Sequence, residues 1–267
     1  MQVAGSRVLL TGASSGIGAA TARLLAAQGA TVGIVGRRAG LLAEVLENCK
    51  RSASGSRMWV ADLGDLDRAE SLVDEAWEAF DGLDIVINNA AVPKRRAVTS
   101  LTTGEIEETM RVNFLAPARM TLRVLPRMLA GTGGVIVNVA SMGGRLGIAH
   151  EAAYCASKFA LTGWSEAMAI DLHGSNVAVR LIQPGPIDTD IWDREGEDPP
   201  LFEVPKLPPD VVASGILEAI SGEQFEHYLP DLKAIVTGKD ADIDSYIAGI
   251  ASAIATNPGV AASGGAL

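Results

Sequence analysis

TGASSGIG, at positions 11–18, directly follows the apolar run Arg7–Thr11 and opens a helical pattern. In that context Gly12 permits a tight exit from a strand, Gly16 lets a ligand approach the backbone, and Gly18 lets the helix pack closely on the strand. Free amides and the positive end of the helix would then face a diphosphate. The G-x3-G-x-G spacing differs from the commoner G-x-G-x-x-G pattern of dinucleotide sites, and a plain tight corner is the alternative interpretation.

Short apolar runs alternate with longer helical stretches, a rhythm typical of a parallel sheet with helices on both faces. Strands are predicted at Arg7–Thr11, Thr31–Val35, Arg57–Ala61, Asp84–Asn88, Gly134–Ala140, Val177–Gln183 and Glu226–Leu229. Helices are predicted at Gly16–Gln28, Gly40–Arg51, Leu66–Phe80, Thr103–Met128, Tyr154–Leu172 and Asp210–Ile220. The predicted fold class is therefore α/β: a Rossmann-like, doubly wound, seven-stranded parallel sheet in a single domain over residues 1–256.

The composition excludes several classes of protein. The 267 residues carry a net charge of −10, with 48% apolar and 20% charged residues. Such apolar content suffices for a sizeable core and argues against wholesale disorder. Two cysteines and three histidines supply neither a disulfide framework nor a ligand cluster, so no metal site is predicted. The acidic balance argues against nucleic acid or an anionic membrane as the main partner.

Two segments depart from the regular pattern. Residues 190–209 are rich in charge and proline, and so long a loop inside a compact domain is predicted to be a substrate lid, with an inert surface excursion as the alternative. Residues 257–267 are predicted to form a C-terminal tail, either frayed or docked on a neighbouring subunit. Neither a secretory signal pattern nor a membrane-spanning apolar run is present, so we expect a cytoplasmic protein.

The residues after the second strand bear on the choice of cofactor. Dinucleotide sites usually place an acid there to bond the ribose 2′-hydroxyl, but this chain has Arg37 and Arg38. A guanidinium can hold a 2′-phosphate bidentately and stack on adenine, which favours NADP(H) over NAD(H). The alternative is that both arginines are solvated residues at the start of the next helix. Asp62, after the third strand, either accepts a hydrogen bond from the adenine amino group or caps the helix near Leu66.

Tyr154 and Lys158 lie four residues apart, which places both side chains on one face of a helix. A unit charge at ~4 Å and an effective dielectric of ~20 is worth roughly 4 kcal/mol, enough to lower a phenol pKa by about three units. Ser141 follows a very apolar strand, at the edge where ligands gather in an open parallel sheet. Asn113 interrupts an amphipathic helix, where asparagine is a mediocre helix former.

As a set, these residues resemble the short-chain dehydrogenase/reductase family. From about Arg7 to Gly222 the signatures occur in order: TGASSGIG at 11–18, NNAA at 88–91, Asn113, Ser141, YCASK at 154–158 and PGPIDT at 184–189. Ala91 stands where the family more often has glycine, a departure that concerns the backbone rather than the chemistry. The length and the intact Y-x3-K motif indicate the simple, single-domain branch.

The resemblance implies a catalytic set of Asn113, Ser141, Tyr154 and Lys158. Tyr154 would act as the general acid in reduction or the general base in oxidation, and Ser141 would polarise the substrate oxygen. Lys158 would hold the nicotinamide ribose and lower the pKa of Tyr154. Asn113 would kink its helix and anchor a water that links Lys158 to solvent.

The resemblance also extends the expected cofactor site. The turn at 184–187 would orient the nicotinamide and Thr189 would bond its carboxamide, with a plain Pro-Gly turn and an ordinary polar loop residue as alternatives. Asn89 and Ala90 would lie along the adenosine ribose through backbone groups. The predicted cofactor-binding residues are Gly12, Ser14, Ser15, Gly16, Ile17, Gly18, Arg37, Arg38, Asp62, Leu63, Asn89, Ala90, Ala91, Tyr154, Lys158, Pro184, Gly185, Ile187 and Thr189.

Candidate substrate contacts come from the loop after Ser141 and from the segment 190–209, with simple loop packing as the alternative for each residue. The candidates are Met142, Gly143, Arg145, Leu146, Glu151, Trp192 and Phe202. Cys155 follows Tyr154 directly and would face elsewhere on a helix, so it is interpreted as a small buried residue.

The leading hypothesis is an NADP(H)-dependent oxidoreductase that transfers hydride between the nicotinamide and a carbonyl compound or secondary alcohol. An epimerase or dehydratase that recycles bound cofactor is one alternative, and a dinucleotide-sensing regulator without turnover is another. The presence of both Tyr154 and Lys158 counts against the regulator. By family analogy, the helices at Thr103–Met128 and Tyr154–Leu172 are expected to build a homotetramer or homodimer.

Overall fold

A seven-stranded, wholly parallel sheet organises the chain in the computed structural model, which describes residues 1–256. The strand order is β3-β2-β1-β4-β5-β6-β7, so the sheet is doubly wound about β1 and β4, as predicted. The strands are β1 Arg7–Thr11, β2 Thr31–Gly36, β3 Arg57–Val60, β4 Ile85–Asn88, β5 Gly134–Val139, β6 Val177–Pro184 and β7 Glu226–Leu229. The predicted tail, 257–267, lies outside the described residues.

Helices cover both faces of the sheet. They are α1 Gly16–Ala27, α2 Ala39–Lys50, α3 Leu66–Phe80, α4 Thr103–Met110, α5 Ala116–Ala130, α6 Ala152–Asp171, α7 Pro209–Ser221, α8 Lys233–Ala241 and α9 Ile243–Ala255. The apolar sides of α1, α2 and α7 pack with one face of the strands, and those of α3, α5 and α6 pack with the other. Over residues 1–256, no helix combines the length and the apolar character needed to cross a bilayer.

The predicted single helix Thr103–Met128 is wrong in its middle. Here α4 and α5 are separated by a π-helical turn, Arg111–Leu115, that contains Asn113. The Asn113 side chain exchanges two hydrogen bonds with the main chain of Val92, at 2.8 and 2.9 Å, and donates a third to Ser157. Satisfying three partners at one point favours the wider turn, and π-helical turns often mark functional sites.

The prediction also lacked the two helices that follow β7. Helix α9 has apolar residues at helical spacing, Ile243, Ile247 and Ile250, yet none of its residues is buried. An N-terminal cap stabilises α9 in place of a buried face, because the Asp242 side chain accepts a hydrogen bond from the Ser245 amide at 2.9 Å. Tertiary contact adds to the cap, since the Tyr246 hydroxyl donates to the Gly147 carbonyl at 2.9 Å.

Backbone contact at the carboxyl edge fixes the turn after β1. A Cβ built on Gly18 would lie 2.2 Å from the Gly12 carbonyl oxygen, and one on Gly12 would lie 2.7 Å from Ala90 Cα. The Asn89 amide nitrogen reinforces the contact by donating to the carbonyls of Thr11 and Gly12, at 2.9 and 3.2 Å. The predicted roles of Gly12 and Gly18 in a tight exit and close packing are therefore confirmed.

We expect Gly18→Ala to lower the free energy of unfolding by about 1–3 kcal/mol, because the new methyl group meets backbone that cannot rotate away. Gly40→Ala is the matched control, since Gly40 is helical and exposed and a Cβ there meets nothing within 4 Å. That control should be neutral or gain up to about 1 kcal/mol. Denaturant unfolding of both variants checks the difference, and equal stabilities would contradict the packing constraint.

Candidate active site

A cavity of about 770 Å³ opens at the carboxyl edge of the sheet, where the two halves of the fold diverge. It is lined by the turn after β1, by the ends of β2, β4, β5 and β6, and by the start of α6. Much of the segment 184–204 and part of α9 complete the wall. Every predicted cofactor-binding residue lies on its wall. Of the predicted catalytic set, Ser141, Tyr154 and Lys158 line the cavity, whereas Asn113 is buried behind it.

Arg38 lies directly over the glycine-rich turn. Its guanidinium donates to the Ser14 hydroxyl at 3.2 and 3.3 Å, bonds the Ser15 hydroxyl, and pairs with Asp190 at 2.8 Å. This pairing holds the pKa of Asp190 below its ordinary value. Arg38 is thus half-exposed but engaged with the turn, rather than a solvated residue at the start of α2.

Arg37 and Asp62 form the neighbouring wall. Arg37 lies 3.7 Å from the Asp62 carboxylate, and both side chains are largely exposed. The other Asp62 oxygen accepts from the Gly64 amide at 2.9 Å, which closes a local turn. Asp62 does not cap α3, because Asp65 fills that position and accepts from the Arg68 amide at 3.0 Å. The capping alternative for Asp62 is therefore wrong.

Tyr154 and Lys158 lie on one face of α6, as predicted. The Lys158 side chain is 1% exposed, and its ammonium donates to the Val139 carbonyl at 2.9 Å and lies 5.8 Å from the Tyr154 ring centre. A buried cation is unfavourable unless it forms hydrogen bonds, so the Val139 carbonyl at the end of β5 determines the position of the Lys158 ammonium group. Ser141 follows that strand two residues later.

Burial is the main cause of the pKa shifts of Tyr154 and Lys158. It raises the pKa of Tyr154 above its ordinary value, and hydrogen bonding to Ser141 only partly opposes the shift. Burial also lowers the pKa of Lys158 to about 7. The expected lowering of the Tyr154 pKa by Lys158 is therefore absent, because a phenolate loses its hydration here and Lys158 is only partly charged near neutral pH.

Gln183 holds Ser141 in place, a role that no sequence motif indicates. The Gln183 side-chain oxygen accepts from the Ser141 amide at 3.2 Å. Its nitrogen donates to the Thr162 hydroxyl at 3.2 Å and to Glu226 at 3.1 Å. Gln183 is fully buried near the end of β6, so it ties the Ser141 backbone to three neighbouring elements.

Arg95 anchors the segment 190–209. The guanidinium donates to the main-chain carbonyls of Asp198, Ile191 and Trp192, at 2.9, 3.2 and 2.6 Å, and the residue is only 4% exposed. The base of the segment is closed by a parallel bridge between Ile187 and Leu207. The segment thus lies over the cavity as a loop whose main-chain carbonyls are bound by Arg95.

The predicted substrate residues divide into two groups. Met142, Glu151, Trp192 and Phe202 line the cavity, whereas Gly143, Arg145 and Leu146 do not. Arg145 instead bonds Glu226 at 2.9 Å and also pairs with Glu166. Residues that the sequence interpretation missed on the wall include Arg95, Tyr246 and Ile250. Only the helical spacing of Ile243, Ile247 and Ile250 could have pointed to α9. As expected, Cys155 is buried and its sulfur accepts from the Ile148 amide.

The Rossmann-like sheet and the glycine-rich turn at its switch point define a dinucleotide-binding fold. A family model described as short chain dehydrogenase matches residues 6–200. The ketoacyl reductase HetN of Nostoc sp. is 32% identical over 225 residues, which cover 83% of this chain and 77% of HetN.

Two solved structures share the fold. A short-chain dehydrogenase/reductase from Burkholderia phymatum in complex with NAD has a TM-score of 0.84 at 25% identity, covering 92% of this chain and 96% of that one. A short-chain dehydrogenase from Burkholderia cenocepacia in complex with NADP has a TM-score of 0.78 at 25% identity, covering 94% and 99%. The chain therefore belongs to the short-chain dehydrogenase family and is an oxidoreductase of that family.

Glu151 should make stability depend on pH. Burial raises its pKa from 4.5 to about 7, so the folded state binds this proton more tightly than the unfolded state. The stability from that proton is fully present below pH 4.5 and is lost as the pH rises toward about 7. We expect Glu151→Gln to be more stable than the parent above this range, by at most about 3 kcal/mol before solvent screening.

Thermal unfolding across that pH range measures the effect. Glu195→Gln, a change at an exposed acid of the segment 190–209, is the control and should leave the difference from the parent flat with pH. A Glu151→Gln curve that stays parallel to the parent curve would show that the folded Glu151 carboxyl has an ordinary pKa.

Proposed function

We propose that the protein is an NADP(H)-dependent oxidoreductase that interconverts a carbonyl compound and a secondary alcohol, with Tyr154 as the general acid or base. The observation that carries the proposal is the placement of Ser141, Tyr154 and Lys158 on the wall of the cavity that the glycine-rich turn also lines. Family membership supports the reaction class, and the relatives complexed with NAD and NADP support a nicotinamide cofactor.

The cavity wall suits a dinucleotide. Gly16 has a φ of +53°, and a Cβ on it would lie 2.8 Å from the side-chain atom Thr189 Cγ2, so this point of the wall favours glycine. The start of α1 offers free amides and a positive helix end for a diphosphate. Lys158 would hold the nicotinamide ribose, and Pro184, Gly185, Ile187 and Thr189 would bound the nicotinamide.

Arg38 and Ser14 support the preference for NADP(H). A guanidinium that is already oriented by two serine hydroxyls can take a 2′-phosphate bidentately. Arg37 adds positive charge beside it, although Asp62 offsets part of that charge. Asp190 forms an ion pair with the Arg38 guanidinium, and this ion pair would have to break for the phosphate to bind there.

The nicotinamide, when bound, supplies or accepts the hydride. In reduction, Tyr154 gives its phenolic proton to the carbonyl oxygen, and the Ser141 hydroxyl donates a hydrogen bond to the same oxygen as negative charge develops there. Tyr154, whose pKa lies above its ordinary value, carries its proton near neutral pH, as a proton donor in reduction must. Lys158, bonded to the Val139 carbonyl, would stabilise the tyrosinate left behind in the fraction of molecules in which Lys158 is protonated.

The loop 190–209, here called the lid, would cover the substrate, since Trp192 and Phe202 line the cavity and Arg95 holds the loop across its opening. We propose further that two or four copies associate through α5 and α6, as the exposed apolar residues Leu122, Phe159 and Ile170 support.

We expect Tyr154→Phe to reduce kcat for ketone reduction by about 10²- to 10⁴-fold, because the phenolic proton is lost. The Kd for NADPH should stay nearly unchanged, because the ring keeps its shape. Tyr228→Phe, on β7 away from the cavity, is the control and should retain activity. Steady-state kinetics with a ketone panel, followed by NADPH absorbance, makes the test; full activity in Tyr154→Phe would remove the acid role.

Arg37→Ala and Arg38→Ala should each weaken NADPH far more than NADH, since only NADPH carries the 2′-phosphate. A charge-assisted contact of this kind is worth about 1.5–3 kcal/mol, or roughly 10- to 100-fold in Kd. Arg51→Ala, at the exposed far end of α2, is the matched control. Fluorescence titration with both cofactors makes the comparison, and equal losses for NADPH and NADH would refute the phosphate contact.

A further inference from the structure

Glu151 is an acid on the cavity wall that the proposed chemistry does not use. It precedes Tyr154 by three residues at the start of α6, so the two side chains lie on one side of the helix, about one turn apart. Among residues 1–256, its carboxyl group has neither a hydrogen bond nor an ion pair. An unpaired carboxyl group in a partly buried position is unfavourable, so a cationic partner from outside the chain would stabilise this one.

The charged groups around Glu151 are committed elsewhere. The guanidinium of Arg95, the nearest cation, is used by three carbonyls of the lid. Glu197 also faces Glu151, but it pairs with Lys94 at 2.9 Å and adds negative charge. Lys206 stacks on the Trp192 ring at 4.8 Å. On α6 itself, Glu151 faces the neutral groups of Tyr154 and Cys155.

The rest of the wall near Glu151 is mainly apolar. Met142, Ile148, Trp192, Phe202 and Val204 are among the apolar residues that line the cavity. A substrate would therefore bury an apolar body here, with its carbonyl at Tyr154. His150, Asp193, Arg194 and Tyr246 also line the cavity, but Glu151 is the acid that acts electrostatically on Tyr154, so we expect it to contact the other end of that body, about one helical turn from the reacting oxygen.

We propose that Glu151 recognises a protonated amino group on the substrate, so that the protein acts on apolar carbonyl compounds that carry an amine about one helical turn (~5 Å) from the carbonyl. This inference rests on the proposed carbonyl reductase function. A cation both donates hydrogen bonds and cancels the carboxylate charge, whereas a hydroxyl group does only the first. No residue of the described chain supplies that cation, and an ammonium group on the substrate would.

Three probes separate charge from shape: acetophenone and its meta-aminomethyl and meta-hydroxymethyl analogues. Their Kd values are measured by titration calorimetry with the protein saturated with NADP⁺, so that no ketone is reduced during the titration. We expect the aminomethyl compound to bind about 10- to 100-fold more tightly than acetophenone, and the hydroxymethyl compound to gain much less. Glu151→Gln should abolish the amine advantage, and Glu195→Gln, at an exposed acid of the lid, should preserve it.

The amine advantage should also depend on pH. The pKa of Glu151 is about 7, so its carboxylate forms as the pH rises through that value, while the benzylic amine stays protonated. Aminomethyl binding should therefore strengthen several-fold from one unit below to one unit above that pKa, and acetophenone binding should not change. Equal affinity for all three probes, or an amine advantage that persists in Glu151→Gln, would overturn the proposal.

Turnover answers a separate question. NADPH oxidation with acetophenone tests the proposed reductase function, because Glu151 contributes nothing to that ketone. Binding without turnover of any probe would count against the reductase and leave the Glu151 contact supported. Turnover of acetophenone with no amine advantage would support the reductase and refute the Glu151 contact. Thermal unfolding of Glu151→Gln confirms that a lost advantage is not a failure to fold.

Discussion

The backbone contact between Gly12, Gly18 and Asn89 is the constraint on which the rest of the site depends. Gly18 lies so close to the Gly12 carbonyl that no side chain fits, and the Asn89 amide bonds the same carbonyl. Three elements, β1, α1 and the end of β4, are thereby joined at the switch point of the sheet. Because this contact is made by main chain and one partly buried side-chain amide, the backbone amides at the start of α1 stay available to a ligand in the cavity.

A second constraint is the burial of Tyr154 and Lys158. Lys158 is fully buried and Tyr154 is partly buried, and the loss of hydration disfavours the charged form of each, so near neutral pH the phenol keeps its proton and the ammonium tends to lose one. Simple Coulomb attraction between unlike charges therefore describes the pair poorly. What the fold provides instead is a proton held on Tyr154 and a lysine tethered to the Val139 carbonyl.

Local patterns allowed the sheet, the glycine-rich turn and the shared helix face of Tyr154 and Lys158 to be predicted, because each depends on residues close together in the chain. Arg95 was missed because its partners are main-chain carbonyls about a hundred residues away, which no side-chain motif encodes. The π-helical turn was missed because it arises from the bonds of Asn113 to Val92 and Ser157. Arg145 was misplaced because its two carboxylate partners, Glu166 and Glu226, draw it away from the cavity.

Because Arg95 binds the lid through main-chain groups, the lid can tolerate changes in its sequence. The three bonds of Arg95 go to carbonyl oxygens, which every amino acid possesses, so the attachment survives when the lid side chains are exchanged. Trp192 is the exception, since its indole also donates to the Ile187 carbonyl at 2.7 Å. Evolution or a laboratory library can therefore reshape positions such as Phe202 and Val204 to accept new compounds while the loop keeps its course over the opening.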